Sequence, residues 1–411
     1  MMIKTKLLYI ILIISLPAAL LGQTGAPSAY TNFGIGSINN SGLVKNQGMG
    51  GTGMAIQTDN FINALNPASL TGIDSLNMLI DMGLRVNFTN YKTNEGNGDA
   101  ISGGLHNISL AFRSAKNLYT SFGLSQVSSV GYNVATTSTI EGSMDIIGKE
   151  YKGTGGVNEV YLSNAVGIGK NFALGLKLSY LFGGIEKTEV FSSSVIGGAL
   201  SVEYTDYVQQ FKFEPGFQYR VNVFDQEISV GATYSPEVDF ATNRSVTTSS
   251  SSGAGINEDI DDGTDYKIPV NMAGGVAWAN KRGLKIAADY RFQEWSSVSY
   301  KSRAADLKDS HRFSMGAEFR NRETKRANPF LYQLGGYVED SYIKVEGNSI
   351  IDTGISAGIG IPMRNSRSYF NINLNYGRRG PRGGDLIKEN YFGINLSLSM
   401  VEFWFMKRQF D

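Results

Sequence analysis

The sequence has no cysteine among its 411 residues. A disulfide framework, a thiol nucleophile and a thiolate metal site are therefore excluded. It also lacks a surplus of either charge: 37 Lys and Arg balance 37 Asp and Glu, so no basic excess points to nucleic acid. Long apolar runs are missing beyond the first residues, and nothing after Leu16 resembles a transmembrane helix. Near-neutral hydropathy excludes little, because a membrane barrel alternates lipid-facing and lumen-facing residues and averages out.

What the chain has in quantity is glycine, 49 residues, with 21 Tyr and 22 Phe. Residues 1–22, "MMIKTKLLYIILIISLPAALLG", read as a signal peptide. Lys4 and Lys6 precede an apolar run from Leu7 to Leu16, followed by the small residues Ala18, Ala19 and Gly22. Cleavage before Gln23 is expected, and no cysteine follows to carry a lipid anchor.

From about Ser75 the chain alternates. "FNINLNYG" sets Phe370, Ile372, Leu374 and Tyr376 against Asn371, Asn373 and Asn375. "FKFEPGFQYRV" and "ALGLKLSYLF" follow the same scheme. A period of two with one apolar face is the half-buried strand signal. A soluble sandwich would use strands of about 5–6 residues, whereas a tilted membrane strand needs roughly 9–11. The segments here are long. They fall near 76–92, 105–114, 117–133, 157–169, 171–190, 201–222, 225–242, 264–280, 283–301, 309–321, 328–345, 350–361, 367–378 and 389–404. Tight connections such as "AKN" and "FDQ" alternate with long polar ones at 134–156, 191–200 and 243–263. An even strand number with short periplasmic turns and long external loops is the pattern of bacterial outer-membrane barrels. The ending "MVEFWFMKRQFD" adds Phe403, Trp404 and Phe405 as an interfacial aromatic belt, a feature compatible with recognition by barrel-assembly machinery.

Residues 23–74 do not alternate. Gly48, Gly50, Gly51 and Gly53 would let backbone pass close to a wall and adopt positive φ. In "NALNPASL", Asn66 can cap a short helix with Pro67 at its first position, followed by Ala68. A barrel of about fourteen strands has a lumen wider than its own side chains fill, so this segment reads as a hatch inside it.

The glycine-rich segment, the Asn66-Pro67-Ala68 motif before strand one, and fourteen long strands together resemble the FadL-type outer-membrane channels for long-chain fatty acids and hydrophobic compounds. "LIKENYFGINLSLSMVEFWFMKRQFD" is similar to the final strand of Bacteroidetes-type members. The resemblance implies a hatch-plugged barrel and lateral passage of hydrophobic molecules past a kinked third strand. Gly123 and Gly131 are the candidates for that bend. The hatch residues Met49, Met54, Ile56, Phe61, Ile62 and Leu65 serve either plug packing or ligand contact.

Three further groups carry chemistry-bearing side chains. His106 and His311 share parity with apolar neighbours and are expected outward at the external rim, and no Gly-x-Ser-x-Gly elbow accompanies them. "NEDIDDGTD", residues 257–265, misses the EF-hand register and reads as a solvated loop. Arg378, Arg379 and Arg382 are placed on an external loop, as lipopolysaccharide phosphate contacts or as ordinary solvated residues.

The expectation is thus an all-β protein, a monomeric transmembrane antiparallel β-barrel in the bacterial outer membrane. Residues 1–22 are its signal peptide, 23–74 its hatch and 75–411 its barrel. It is expected to be non-enzymatic, without cofactor or metal, and to pass hydrophobic small molecules passively. Its expected partners are membrane lipid, lipopolysaccharide and that substrate, with no nucleic acid. The alternative function is a FadL-like barrel acting as partner or plug of a type IX secretion assembly, with a secretion-system protein as its partner.

Overall fold

The computed structural model describes residues 28–93, 96–139, 146–193, 198–251, 255–260, 266–298, 306–321, 328–364, 366–381, 383 and 386–404. Residues 1–22, Arg382, Phe405 and the acidic stretch 261–265 fall outside that set.

Fourteen antiparallel strands close into a barrel. They are β1 (Asn77–Lys92), β2 (Asn97–Ala115), β3 (Leu118–Gln126 with Ser128–Thr139), β4 (Ile146–Ile168), β5 (Phe172–Ser193), β6 (Gly198–Val223) and β7 (Gln226–Ser235, Val238–Asp239 and Ala241–Ser250). Then come β8 (Gly255–Ile260, Lys267–Ile268 and Asn271–Asn280), β9 (Leu284–Gln293), β10 (Asp306–Leu307 and Ser310–Arg320), β11 (Leu331–Val345), β12 (Asn348–Pro362), β13 (Tyr369–Pro381) and β14 (Lys388–Phe403). The pairing of β1 with β14, from Asn77↔Phe403 to Lys92↔Lys388, closes the cylinder.

Each expected segment is a strand, but several run further than expected. β6 and β7 stay paired from Gln209↔Ala241 to Leu200↔Ser250, and β7 pairs with Gly255–Ile260 of β8. Much of the expected loops 134–156, 191–200 and 243–263 is therefore ladder. "SVTTSS" carries Val and Thr, which suit a pleated strand better than its serines suggest.

Parity sorts the side chains as the alternation requires. Leu174, Leu176, Leu178, Phe211, Phe213 and Phe217 are exposed on the outside. Ser163, Ser179, Gln218, Asn371, Asn373 and Ser397 are buried on the inside. Such an apolar exterior suits acyl chains, not water. Phe403 and Trp404 stand exposed at the end with the tight turns.

Residues 28–74 occupy the lumen. They enter at the loop end, where Ser28 Oγ and Ala29 N–H donate to Glu389 at 2.9 and 3.0 Å. They leave at the turn end through Ile73 into β1. Between lie three short helices, Ala29–Asn32, Val44–Gln47 and Pro67–Gly72.

Candidate functional site

The luminal segment is tied to the wall by polar contacts concentrated on β9 to β13. Lys45 Nζ lies 2.6 Å from Glu318 Oε2, with both side chains almost fully buried, and 3.0 Å above the Phe61 ring centroid. Burial pulls the Lys45 ammonium down to about 8, against the opposing pull of the Glu318 carboxylate. Asp59 lies 3.3 Å from Arg320. Burial pushes the Asp59 carboxyl up, but Arg320, Lys285 and Lys45 hold it well below the usual carboxylate range. Asp289 accepts from the backbone N–H groups of Gly53 and Met54 at 2.6 and 3.0 Å. Asn373 donates to the Val44 carbonyl at 2.6 Å.

Glycine makes close approach to the wall feasible, and on both sides of the contact. Gly50 sits at φ +70, and a Cβ there would lie 2.6 Å from the Gly336 carbonyl oxygen. A Cβ on Gly316 would lie 2.5 Å from the Met49 carbonyl oxygen. Gly51 also has positive φ, whereas Gly48 and Gly53 owe their identity to side chains beside them, Gln333 and Asn46. Asn66 caps the Pro67–Gly72 helix by accepting from Ala68 N–H. Its amide donates to Met54 O at 2.9 Å and to Phe217 O at 3.0 Å. Ala68 is fully buried. Met49, Ile56 and Phe61 pack with Ala277 and Ala287, Met54 and Leu65 pack with Ala273, and Ile62 packs with Leu43, Leu70 and Leu79. Leu65 also borders a luminal cavity.

The wall is incomplete between β2 and β3. Their ladder runs from Ala115↔Leu118 to Asn107↔Ser125 and stops. Beyond it, Asn97–Leu105 of β2 pair with β1 alone, and Val130–Thr139 of β3 pair with β4 alone among the strands of the described residues. The bend in β3 falls at Val127. There Val127, Ser128 and Ser129 oppose only Gly156 and Val157 of β4, which makes a bulge. This corrects the expectation for Gly123 and Gly131. Gly123 lies in straight ladder opposite Ser109 and Tyr161, and Gly131 pairs with Thr154. The enabling glycines are across the strand: Gly155 and Gly156 take φ +104 and +143, and a Cβ on Gly183 would lie 2.0 Å from Gly156 O.

The inward-bent half of β3 is met by the luminal segment. Ser37 and Ile38 pair antiparallel with Ser129 and Ser128. Asn39 N–H donates to Val127 O, and Ser28 N–H donates to Gly131 O, both at 2.8 Å. Behind the bend lies an apolar cluster that includes Ile35, Val130, Val157, Leu181, Ile185 and Phe240, with Ile38 and Tyr132 packed on it. Towards the loop end an apolar groove of about 230 Å³ opens, lined by Tyr30, Phe33, Tyr132, Val134, Tyr151 and Leu386. Two other cavities, of about 170 and 110 Å³, are polar and carry Arg, Lys and Glu on their walls.

Two further placements differ from expectation. His106 is buried in the lumen, not outward: it is the extra residue of a bulge between Gly83↔Asn107 and Leu84↔Leu105, which shifts the parity. Its Nε2 lies 3.0 Å from Gly42 O, within reach of the Asn39 and Gln47 amides. His311 does face outward, beside Tyr290 Oη at 2.8 Å and the Phe292 ring. Neither imidazole has a hydrogen bond to a serine or a carboxylate among the described residues. Arg379 is not an external residue but points into the lumen, where Nε and Nη2 donate to Asp352 at 3.0 and 2.8 Å. β13 continues through "GRRGP", so Arg379 falls on the inner parity while Arg378 faces out.

Comparison with solved structures gives the same architecture. The chain is similar to the CymD monoaromatic hydrocarbon channel, at 16% identity and TM-score 0.57, covering 92% of this chain and 100% of that one. It is similar to the Pseudomonas putida toluene transporter TodX, at 14% identity and TM-score 0.62, covering 90% and 100%. It is also similar to a Pseudomonas aeruginosa FadL homologue, at 12% identity and TM-score 0.63, covering 91% and 100%. At these identities the likeness establishes the fold. No curated protein matches the sequence. A family model described as BamG matches residues 2–411, and the chain therefore belongs to the BamG family, built on the FadL-type barrel.

Proposed function

We propose that the protein is an outer-membrane conduit for passive movement of hydrophobic small molecules, with residues 1–22 as export signal and residues 23–74 as a hatch. The observation that carries this reading is the unpaired seam between Asn97–Leu105 of β2 and Val130–Thr139 of β3, beside an apolar groove. A hydrophobic molecule gains free energy on leaving water for the groove, about 25 cal/mol per Å² of apolar surface. Below Ile38 the luminal cavities are lined by Glu159, Lys177, Lys212, Glu214 and Arg291. An apolar molecule entering there would strip water from charged groups without replacing their hydrogen bonds. Sideways release through the seam into lipid is the downhill path.

Residues 28–39 close that path from inside, through their backbone pairing with the bent half of β3. The stronger ion pairs hold the deeper part of the hatch, at Lys45 and Asp59. Opening therefore calls for release of the first stretch alone, with the rest of the hatch in place. Relatives named as hydrocarbon channels and toluene transporters support the same assignment.

The test uses proteoliposomes with lipopolysaccharide in the outer leaflet and N-phenyl-1-naphthylamine as the probe. Uptake is expected to exceed that of protein-free vesicles. Equal rates would overturn the conduit reading and favour the interaction protein.

A further inference from the structure

We propose that the polar luminal cavity beside Gln47 and Gly50 is a binding site for a small oxyanion, a carboxylate or phosphate group, held by Arg85. This goes beyond passage of hydrophobic molecules and does not depend on it. The cavity has a volume of about 170 Å³. Six charged side chains line it: Arg85, Arg312, Arg379, Glu339, Asp352 and Glu389. Five are engaged. Arg312 donates to Glu339 at 2.6 Å. Arg379 donates twice to Asp352, and Glu389 accepts from Ser28 and Ala29. Among the described residues the Arg85 side chain has no hydrogen bond or ion pair; the Tyr337 and Tyr391 rings line the cavity beside it.

The Arg85 side chain is half-buried and its donors open onto the cavity, so an oxyanion can reach them without breaking an existing ion pair. The guanidinium presents its donors in a planar fork that matches a carboxylate or phosphate. Asn87 and Asn375 line the same cavity and add amide donors. Its polar walls and size admit a charged head group with a few waters. The 230 Å³ groove has the apolar lining that an alkyl chain would need. The site thus takes the anion, and its source is either a free ion or the head of an amphiphile.

Calorimetric titration of the full-length protein in nanodiscs, first with inorganic phosphate and then with hexyl phosphate, tests this. Saturable binding is expected, weakened about tenfold or more by Arg85→Gln. Arg85→Lys keeps the charge but loses the fork, and is expected to bind with intermediate affinity. Folding of each variant is checked by heat-modifiable gel mobility, so the lysine variant carries the test if the glutamine variant misfolds. Equal affinity for the two probes would identify a free oxyanion, and much tighter binding of hexyl phosphate an amphiphile head; both uphold the site. No saturable binding of either probe, or variants that bind as the wild type does, would overturn it.

Discussion

Replacing Lys45 with methionine tests what holds the luminal segment in the barrel. The substitution keeps the length of the side chain and removes the charge, leaving Glu318 buried without its partner at 2.6 Å. Breaking a buried ion pair from one side costs roughly 3–5 kcal/mol. Glu318 still accepts from Gln333 at 3.1 Å and keeps Arg320 at 3.7 Å, so the lower end, about 3 kcal/mol, is expected. The readout is amide hydrogen exchange in nanodiscs at Asn46, Met49 and Gly51, whose N–H groups are bonded within the luminal segment. At about 1.4 kcal/mol per tenfold, exchange should quicken by roughly 100-fold. The double change Lys45→Met with Glu318→Gln removes both charges and should recover much of the protection, because a neutral pair leaves no stranded ion. Wild-type exchange rates in Lys45→Met would refute the reasoning. So would a double variant no better protected than the single one.

Asn66→Ala removes a helix cap and two amide donations, to Met54 O and Phe217 O, for an expected loss of about 2–4 kcal/mol in local stability. Faster exchange confined to residues 66–73 and their neighbours would show it. Asp59 has a folded pKa below its unfolded value, so its contribution is complete above the unfolded pKa of about 4 and is lost only as pH falls through the folded one. Asp59→Asn should therefore weaken hatch protection equally at pH 7 and pH 5. A smaller effect at pH 5 would contradict that sign.

Much of the barrel was legible because a two-residue period in fourteen long segments leaves few architectures open. The misreadings have local causes. A single extra residue at His106 reverses parity, and nothing in "GGLHNIS" marks a bulge. The β3 bend depends on tight contacts on β4 and β5, at Gly155, Gly156 and Gly183, and not on the glycines of β3 itself. Glycine and proline around Arg379 suggest a loop, but its ladder with Asp352 continues to the end of β13. Arg85 carried no signal at all, since only the positions of the other five charged residues leave it without a partner. The wall glycines that receive the hatch, such as Gly316, could have been flagged as small residues on the polar parity of their strands.

Closure of the seam beside β3 by residues 28–39, as proposed, is tested most directly by a reversible lock. Ser37 and Ser129 are paired Cα partners, within the separation of roughly 4.4–6.8 Å that a disulfide spans. With no native cysteine in the chain, Ser37→Cys with Ser129→Cys adds one defined bridge. Probe uptake by the oxidised protein should fall to the rate of empty vesicles and return on reduction. Uptake undiminished in the locked form would contradict the proposed route.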